Sequence, residues 1–185
     1  MVERRILRSI ALYALANGGI PMLSSTAGGC LADAACVCLD DQKHFSGAPI
    51  AVSGDFEEMY ELVWSASTDQ MRRFWADDEL ATQWGAEGVA ILLVLELTDL
   101  TVIERSCKGT GFDYWLGQAT SDALLFQNKA RLEVSGIRNG TDAALNQRVK
   151  QKIEQTRRSD GALPAYVIVV EFSRPRCRVI KRGVP

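Results

Sequence analysis

Histidine is the scarcest titratable residue in this chain of 185 residues, because His44 is the only one. Catalytic relays of the Ser-His-Asp or Cys-His type need an imidazole as general base, and no G-x-S-x-G nucleophile motif accompanies His44. The glycine turn at 108–111 also lacks the G-x4-G-K-[ST] pattern of a phosphate loop. A triad hydrolase and a P-loop enzyme are therefore not supported.

Long uninterrupted apolar runs are also missing. The longest, from Val89 to Leu97, contains Glu96 and is half the length of about 18 residues that a membrane helix needs. The N-terminus imitates a signal peptide only poorly, because Arg8 interrupts its apolar stretch. The 5 cysteines are an odd number in a chain long enough to fold without disulfides. We expect a cytoplasmic protein that makes no membrane contact.

Charge is distributed unevenly along the chain, although the net charge is only −2. Residues 1–128 hold 18 acidic and 8 basic side chains, whereas residues 129–185 hold 5 acidic and 13 basic ones. Either the two parts compensate each other within one fold, or the basic part meets a polyanion and the acidic part docks a protein partner.

The order of periodic segments predicts the fold class. Helical patterns at 69–97 and 143–157 alternate with strand patterns at 100–105, 112–116, 131–135 and 166–172, and a possible edge strand follows at 177–181. Three successive strands followed by a helical crossover predict a mixed central sheet flanked by helices, in the α/β (α+β) class.

The first part of the chain is predicted to be an extension over residues 1–67, before a core over residues 68–185. The extension is predicted to contain a helix over 3–16, a loop over 20–29, a helix over 30–44 and a hairpin of two strands at 49–53 and 59–65. Thr68 and Asp69 are suitable N-cap residues for the next helix, which Gly85 is predicted to break.

Three acidic residues fall at defined places in this order: Glu87 in the buried helix, Asp113 after the glycine turn, and Glu133 in mid-strand. Burying an unpaired carboxylate is costly, so Glu133 needs Arg131, a hydrogen-bond network or a metal ion as compensation. Two carboxylates converging from adjacent strands form a site for a hard cation. The structural alternatives are a first-turn residue for Glu87, a turn residue for Asp113 and a solvated ion pair for Glu133.

These residues, with the strand Arg131-Leu132-Glu133-Val134-Ser135, resemble the core of the PD-(D/E)XK nuclease superfamily over about residues 80–172. The resemblance implies a restriction-endonuclease-like fold and a DNA endonuclease that depends on Mg²⁺ or Mn²⁺. It implies that Asp113 and Glu133 bind the metal and that Glu87 assists. RNA is the less favoured substrate, and the oligomeric state is left open.

The chain departs from the superfamily at the lysine that orients the attacking water, because Ser135 occupies that position. A lysine from elsewhere would then have to replace it. Lys129, Lys108 and Lys150 are the candidates, and Lys150 on the crossover helix is the one predicted to reach the edge of the sheet.

The crossover helix is also rich in basic residues. Arg148, Lys150, Lys152 and Arg157 are predicted to contact nucleic acid, although a solvated amphipathic helix with a basic end has the same pattern. The alternative function is a non-catalytic subunit with the nuclease fold that docks a partner protein, for example in a bacterial defence system.

Cys30, Cys36, Cys38 and His44 form a possible set of four zinc ligands. Their C-x5-C-x-C-x5-H spacing matches none of the usual zinc motifs. Buried cysteines acting as small hydrophobic residues are the alternative.

Overall fold

A computed structural model describes residues 7–118, 129–159, 161 and 163–183. The strands are β1 (Arg8–Ala11), β2 (Ala48–Gly54), β3 (Glu58–Val63), β4 (Leu100–Arg105), β5 (Tyr114–Gln118), β6 (Ala130–Ile137), β7 (Ala165–Glu171) and β8 (Arg176–Arg182). A 3-10 helix (Leu12–Ala16) precedes the helices α1 (Ser25–Asp41), α2 (Asp69–Phe74), α3 (Asp78–Leu97) and α4 (Asp142–Arg157).

The strands form one mixed sheet in the order β1-β3-β2-β8-β7-β6-β5-β4. β4, β5 and β6 are successive antiparallel neighbours, and α4 then connects β6 to the parallel strand β7. The predicted mixed sheet flanked by helices is therefore confirmed, as is the order of a helix, three strands, a helix and a strand.

Helices cover both faces of this sheet. In the main core α3 packs on Leu132 and Val134 of β6 and on Ile168 of β7, and α1 packs against α3. On the opposite face, apolar residues of α4 pack against Val167 and Val169 of β7. β6 and β7 are therefore covered on both sides, which explains their nearly continuous burial.

Helix α3 lies between α1 and the sheet. It passes a test of length and composition for a membrane-crossing helix, but 67% of the 18-residue window concerned is buried inside the fold. The predicted break at Gly85 is wrong, because α3 continues through that residue to Leu97. Gly85 instead allows a close approach to α1, since a Cβ atom there would lie 3.0 Å from the Cα of Ala35.

The helix boundary falls earlier than predicted. Thr68 caps α2 as expected, accepting a hydrogen bond from the backbone N–H of Met71 at 3.2 Å. Asp77 then caps α3, accepting from the backbone N–H of Leu80 at 2.9 Å. The capping side chain of Asp77 therefore marks the division between the two helices.

The predicted helix over 3–16 and loop over 20–29 are each right only in part: a 3-10 helix over Leu12–Ala16 ends where predicted and residues 20–24 lie outside any helix or strand, but residues 8–11 and 25–29 differ. Residues 8–11 form β1, which pairs in parallel with β3 and buries Ile10, so tertiary pairing overrides the helical periodicity. Residues 25–29 form the start of α1, which Ser24 caps by accepting from the backbone N–H of Ala27. Residues 1–6 lie outside the described part.

The C-terminal strand is interior, so the predicted edge strand at 177–181 is wrong. β8 pairs with β7 on one side and with β2 on the other. The hairpin of β2 and β3 is present as predicted, and through β8 it joins the same sheet as the core strands.

Two adjacent glycines in α1 test how closely the 3-10 helix packs on it. A Cβ atom at Gly28 would lie 1.9 Å from the carbonyl oxygen of Leu15, whereas one at Gly29 would have nothing within 4 Å. Gly29→Ala should raise the free energy of unfolding by about 0.5–1 kcal/mol, because alanine favours a helix. Gly28→Ala should lower it by about 1–3 kcal/mol through overpacking. Urea denaturation measures both, and equal effects would contradict this packing.

Candidate functional site

The side chains of β6 alternate between the two faces of the sheet, as the sequence predicts. Ala130, Leu132 and Val134 belong to the main core under α3. The intervening residues Arg131 and Glu133 contact α4. The polar side chains of β6 therefore lie on the face of the sheet that α4 covers.

A ladder of three polar contacts joins α4 to that face of β6. Arg148 Nη1 donates to Ser135 Oγ at 2.8 Å, and Lys152 Nζ donates to Glu133 Oε1 at 2.5 Å. The third contact runs from Arg131 Nη1 to the carbonyl oxygen of residue 156 at 3.2 Å. Four helical residues rise about 6.0 Å and two strand residues about 6.6 Å, so each turn of α4 meets the next inward residue of β6.

Glu133 is fully buried in this ladder. Its Oε1 atom accepts from Lys152, and its buried Oε2 atom receives no hydrogen bond from a donor in the described part of the chain. Asp113 lies beside it: the Asp113 N–H donates to the carbonyl of Leu132, and the Val134 N–H donates to Asp113 Oδ2, both at 2.8 Å. The predicted convergence of the two carboxylates from neighbouring strands is therefore present in the geometry.

Neither carboxyl group has an ordinary affinity for protons. Burial, followed by the charge of Asp113, raises the pKa of Glu133 to about 7, against the opposing effect of Lys152. Burial also raises the pKa of Asp113, against the hydrogen bond from Val134. Full ionisation of the pair therefore costs free energy, and a divalent cation would offset that cost. The Glu133 Oε2 atom, which no donor among the described residues reaches, fits such a cation.

Glu87 does not join this pair. It is 3% exposed, and its Oε1 atom accepts from Gln83 Nε2 at 2.9 Å. Its Oε2 atom accepts from Arg105 Nη2 at 2.6 Å and from the hydroxyl of Tyr114. Within the described ranges, no group of three or more His, Cys, Asp or Glu residues is suited to hold a metal ion. Asp113 and Glu133 thus lie together, whereas Glu87 forms an ion pair with Arg105.

The lysine beside Glu133 is Lys152, not the predicted Lys150. Lys150 is exposed, and two residues along a helix turn the side chain by about 200°. Lys152 follows Arg148 by one turn and flanks the apolar stripe of Val149 and Ile153, and this is the sequence signal that identifies a side chain facing the sheet. Among the other candidates, Lys108 borders a pocket beside Asp113.

The predicted nucleic-acid contacts do not form one exposed row. Lys150 and Arg157 are exposed. Arg148 and Lys152 face the sheet, where Arg148 holds Ser135 and the carbonyl of Gly136. Two of the four basic side chains are therefore occupied in holding β6.

An open groove leads to Asp113. A pocket of about 410 Å³ is lined by Arg105, the turn at 106–111, Phe112, Asp113 and Gln155. A neighbouring pocket of about 760 Å³ shares Gln155 and two glycines of that turn, and adds Arg157 and Arg158. We call these two pockets the entrance groove; its rim carries more basic than acidic side chains.

The cysteine and histidine set does not form a zinc site. Cys36 and Cys38 are buried in α1, and burial raises the pKa of their thiols to about 12 and about 11. His44 Nε2 lies 2.9 Å from the carbonyl oxygen of Phe172, which ties the end of α1 to the turn after β7. The reading of the cysteines as small buried residues fits this arrangement.

Comparison of the chain with protein-family models, with curated proteins and with solved structures gives no match.

Glu133 should make the metal-free protein less stable as the pH rises. Its folded-state pKa of about 7 lies above the ordinary value of 4.5, so the stabilisation present below pH 4.5 is lost as the pH rises through 7. Glu133→Gln removes this titration. Its stability relative to wild type should rise by roughly 2–3 kcal/mol between pH 4.5 and pH 8, measured by urea unfolding in a chelator.

The matched control is Glu154→Gln, because Glu154 is exposed on α4 and pairs with Arg157. Its stability difference from wild type should stay nearly constant over that range. A constant difference for Glu133→Gln as well would contradict a buried, ionisable Glu133.

Proposed function

We propose that this protein is a metal-dependent phosphodiesterase that acts on DNA, with Asp113, Glu133 and Lys152 at its centre. One observation carries the proposal: Lys152 Nζ lies 2.5 Å from Glu133 Oε1, the Glu133 carboxyl group is next to that of Asp113, and no donor among the described residues reaches the buried Glu133 Oε2 atom. A lysine, an incompletely satisfied glutamate and a neighbouring aspartate are the residue types that the superfamily resemblance implies.

Asp113 and Glu133 are the residues that would hold Mg²⁺ or Mn²⁺. The bound cation would neutralise charge on the phosphodiester and lower the pKa of a water molecule. Val134 fixes the Asp113 carboxylate through its backbone N–H, so one of the two ligands is oriented in advance.

Lys152 provides the cation that Ser135 cannot. Its ammonium group has three donors, of which one goes to Glu133 and one to Gln155 Oε1 at 3.2 Å. The remaining N–H has no acceptor within residues 7–118, 129–159, 161 and 163–183, and it would orient an attacking water molecule. Since Lys152 is only 21% exposed, its position is fixed by the packing of α4 on the sheet.

The entrance groove supports a phosphate-bearing substrate. It opens beside Asp113, and Arg157 and Arg158 border it at the end of α4. Such contacts to a phosphate backbone contribute affinity that falls with salt concentration. DNA rather than RNA is proposed on the superfamily resemblance.

The alternative of a non-catalytic binding subunit predicts a different environment for Glu133. In that case Arg131 would neutralise Glu133 and no cavity would open beside it. Arg131 donates to the carbonyl oxygens of Ser159 and Leu163, which lie between α4 and β7, and a pocket opens at Asp113. These contacts favour the enzyme.

Lys152→Met should abolish cleavage while Lys150→Met leaves it nearly unchanged. The two lysines lie on the same helix, but only Lys152 contacts Glu133. We expect Lys152→Met to lower the rate by about 10²- to 10⁴-fold and Lys150→Met by less than about 3-fold. The assay is cleavage of supercoiled plasmid and of oligonucleotides with Mg²⁺ or Mn²⁺.

Asp113→Ala and Glu133→Ala complete this series, and both should be inactive while binding of a DNA duplex persists. Cleavage that survives in either variant would contradict the assigned centre. Salt-sensitive DNA binding without cleavage in every protein, wild type included, would favour the binding subunit.

A further inference from the structure

Arg105, at the end of β4, stands at the wall of the pocket that contains Asp113. Its side chain is 53% exposed, although its guanidinium group is anchored from one side. The Nη2 atom donates to Glu87 Oε2 and to the hydroxyl of Tyr114, both at 2.6 Å. The guanidinium carbon also lies 4.8 Å from the centre of the Tyr114 ring.

The groups that anchor Arg105 are themselves buried. Glu87 is 3% and Tyr114 0% exposed, and the Tyr114 hydroxyl donates to the same glutamate oxygen that receives Arg105. Gln83 holds the second oxygen of Glu87. A half-exposed arginine thus rests on a buried and hydrogen-bonded support, which restricts the directions in which it can point.

The rest of the Arg105 fork has no hydrogen-bond partner in the described part of the chain. An arginine has five N–H donors, and both observed hydrogen bonds come from Nη2. Across residues 7–118, 129–159, 161 and 163–183, neither Nε nor Nη1 has a hydrogen-bond acceptor. An oriented guanidinium fork with free donors matches the geometry of phosphate oxygens.

The pocket beside Arg105 has the charge balance that an anion requires once Asp113 is neutralised. Its lining includes Arg105 and Lys108 as cations and Asp113 as the one acid. A cation held by Asp113 and Glu133 would cancel that acid. The pocket would then present two positive side chains to the substrate.

We infer that Arg105 binds a non-bridging phosphate oxygen of the substrate, and that Glu87 and Tyr114 are positioning residues for it. Glu87 is then not a metal ligand, because a cation at its Oε2 atom would have to displace Arg105. The effect of Arg105 on cleavage rests on the proposed function, whereas its contact with phosphate can be measured without any cleavage.

The cleavage experiment compares Arg105→Ala, Glu87→Gln and the double variant. Each single variant should lower kcat/KM by about 10- to 100-fold, the loss expected for one charge-assisted hydrogen bond. Because the two residues act as a unit, kcat/KM of the double variant should be no lower than that of the less active single variant. Arg105→Lys should recover only part of the loss, since it keeps the charge and lacks the fork.

The metal dependence separates positioning from ligation. If Glu87 positions Arg105, the Mn²⁺ concentration for half-maximal cleavage stays within about 2-fold of wild type in Glu87→Gln. A rise of about 10-fold or more would make Glu87 a metal ligand and overturn the inference. Tyr114→Phe keeps the buried ring and loses only the hydroxyl, so it provides a second positioning variant if Glu87→Gln fails to fold.

In the binding experiment, inorganic phosphate is titrated into the metal-free protein and into the Ca²⁺-loaded protein. The charge of Asp113 opposes phosphate binding most strongly in the metal-free form. The readout is the NMR signal of the Arg105 Nε–H group, assigned by its loss in Arg105→Ala. A saturable shift is expected with Ca²⁺, and Lys108→Ala should weaken the affinity by about 2- to 5-fold without removing the shift. No shift in either form would overturn the inference.

The two experiments fail independently. A saturable phosphate shift in a wild-type protein that cleaves no DNA would contradict the proposed nuclease and retain Arg105 as a phosphate-binding residue. Wild-type cleavage with an unaffected Arg105→Ala variant would retain the nuclease and remove Arg105 from it.

Discussion

The contact between Lys152 and Glu133 is the constraint on which the arrangement of the site depends. A carboxylate with no solvent exposure is tolerated only with a partner, and removing one member of such a pair leaves an uncompensated charge. The partner comes from α4, whose apolar side is held by Val167 and Val169. Packing of α4 on the sheet therefore determines where the lysine lies, and the ladder of contacts keeps the helix in register with β6.

The uneven charge of the chain has two consequences in the fold. Part of it is compensated internally, because Arg138 of the basic part binds Asp41 and Asp78 of the acidic part at 2.7 and 3.0 Å. At the entrance groove Arg157 pairs with Glu154, which lines the same pocket, and Arg158 is exposed beside them. The interpretation as compensation within one fold thus has direct contacts behind it, whereas contact with a polyanion stays a prediction.

The sequence was sufficient to predict those helices and strands that have a long periodic pattern and that pack against segments close to them in the chain. The order from α3 to β7 and the inward side of β6 were predicted because strands that are buried on both faces have a plain pattern. β1 was not, since four residues at the edge of a sheet are set by pairing with β3. The partner of Glu87 was also missed, because Arg105 and Tyr114 meet it only through the pairing of β4 with β5.

Lys152 was missed for a related reason. Its closeness to Glu133 arises because one turn of α4 advances by nearly the same distance as two residues of β6. The same match explains how a serine is accommodated at position 135. A lysine there would share the face of Glu133 and point towards α4, into the space where Arg148 donates to Ser135 Oγ. With Lys152 already at Glu133, it would place a further cation beside Arg148. A small hydroxyl residue at 135 and a lysine at 152 are therefore compatible with each other: the positive charge beside Glu133 comes from α4, and β6 has a small neutral side chain at position 135.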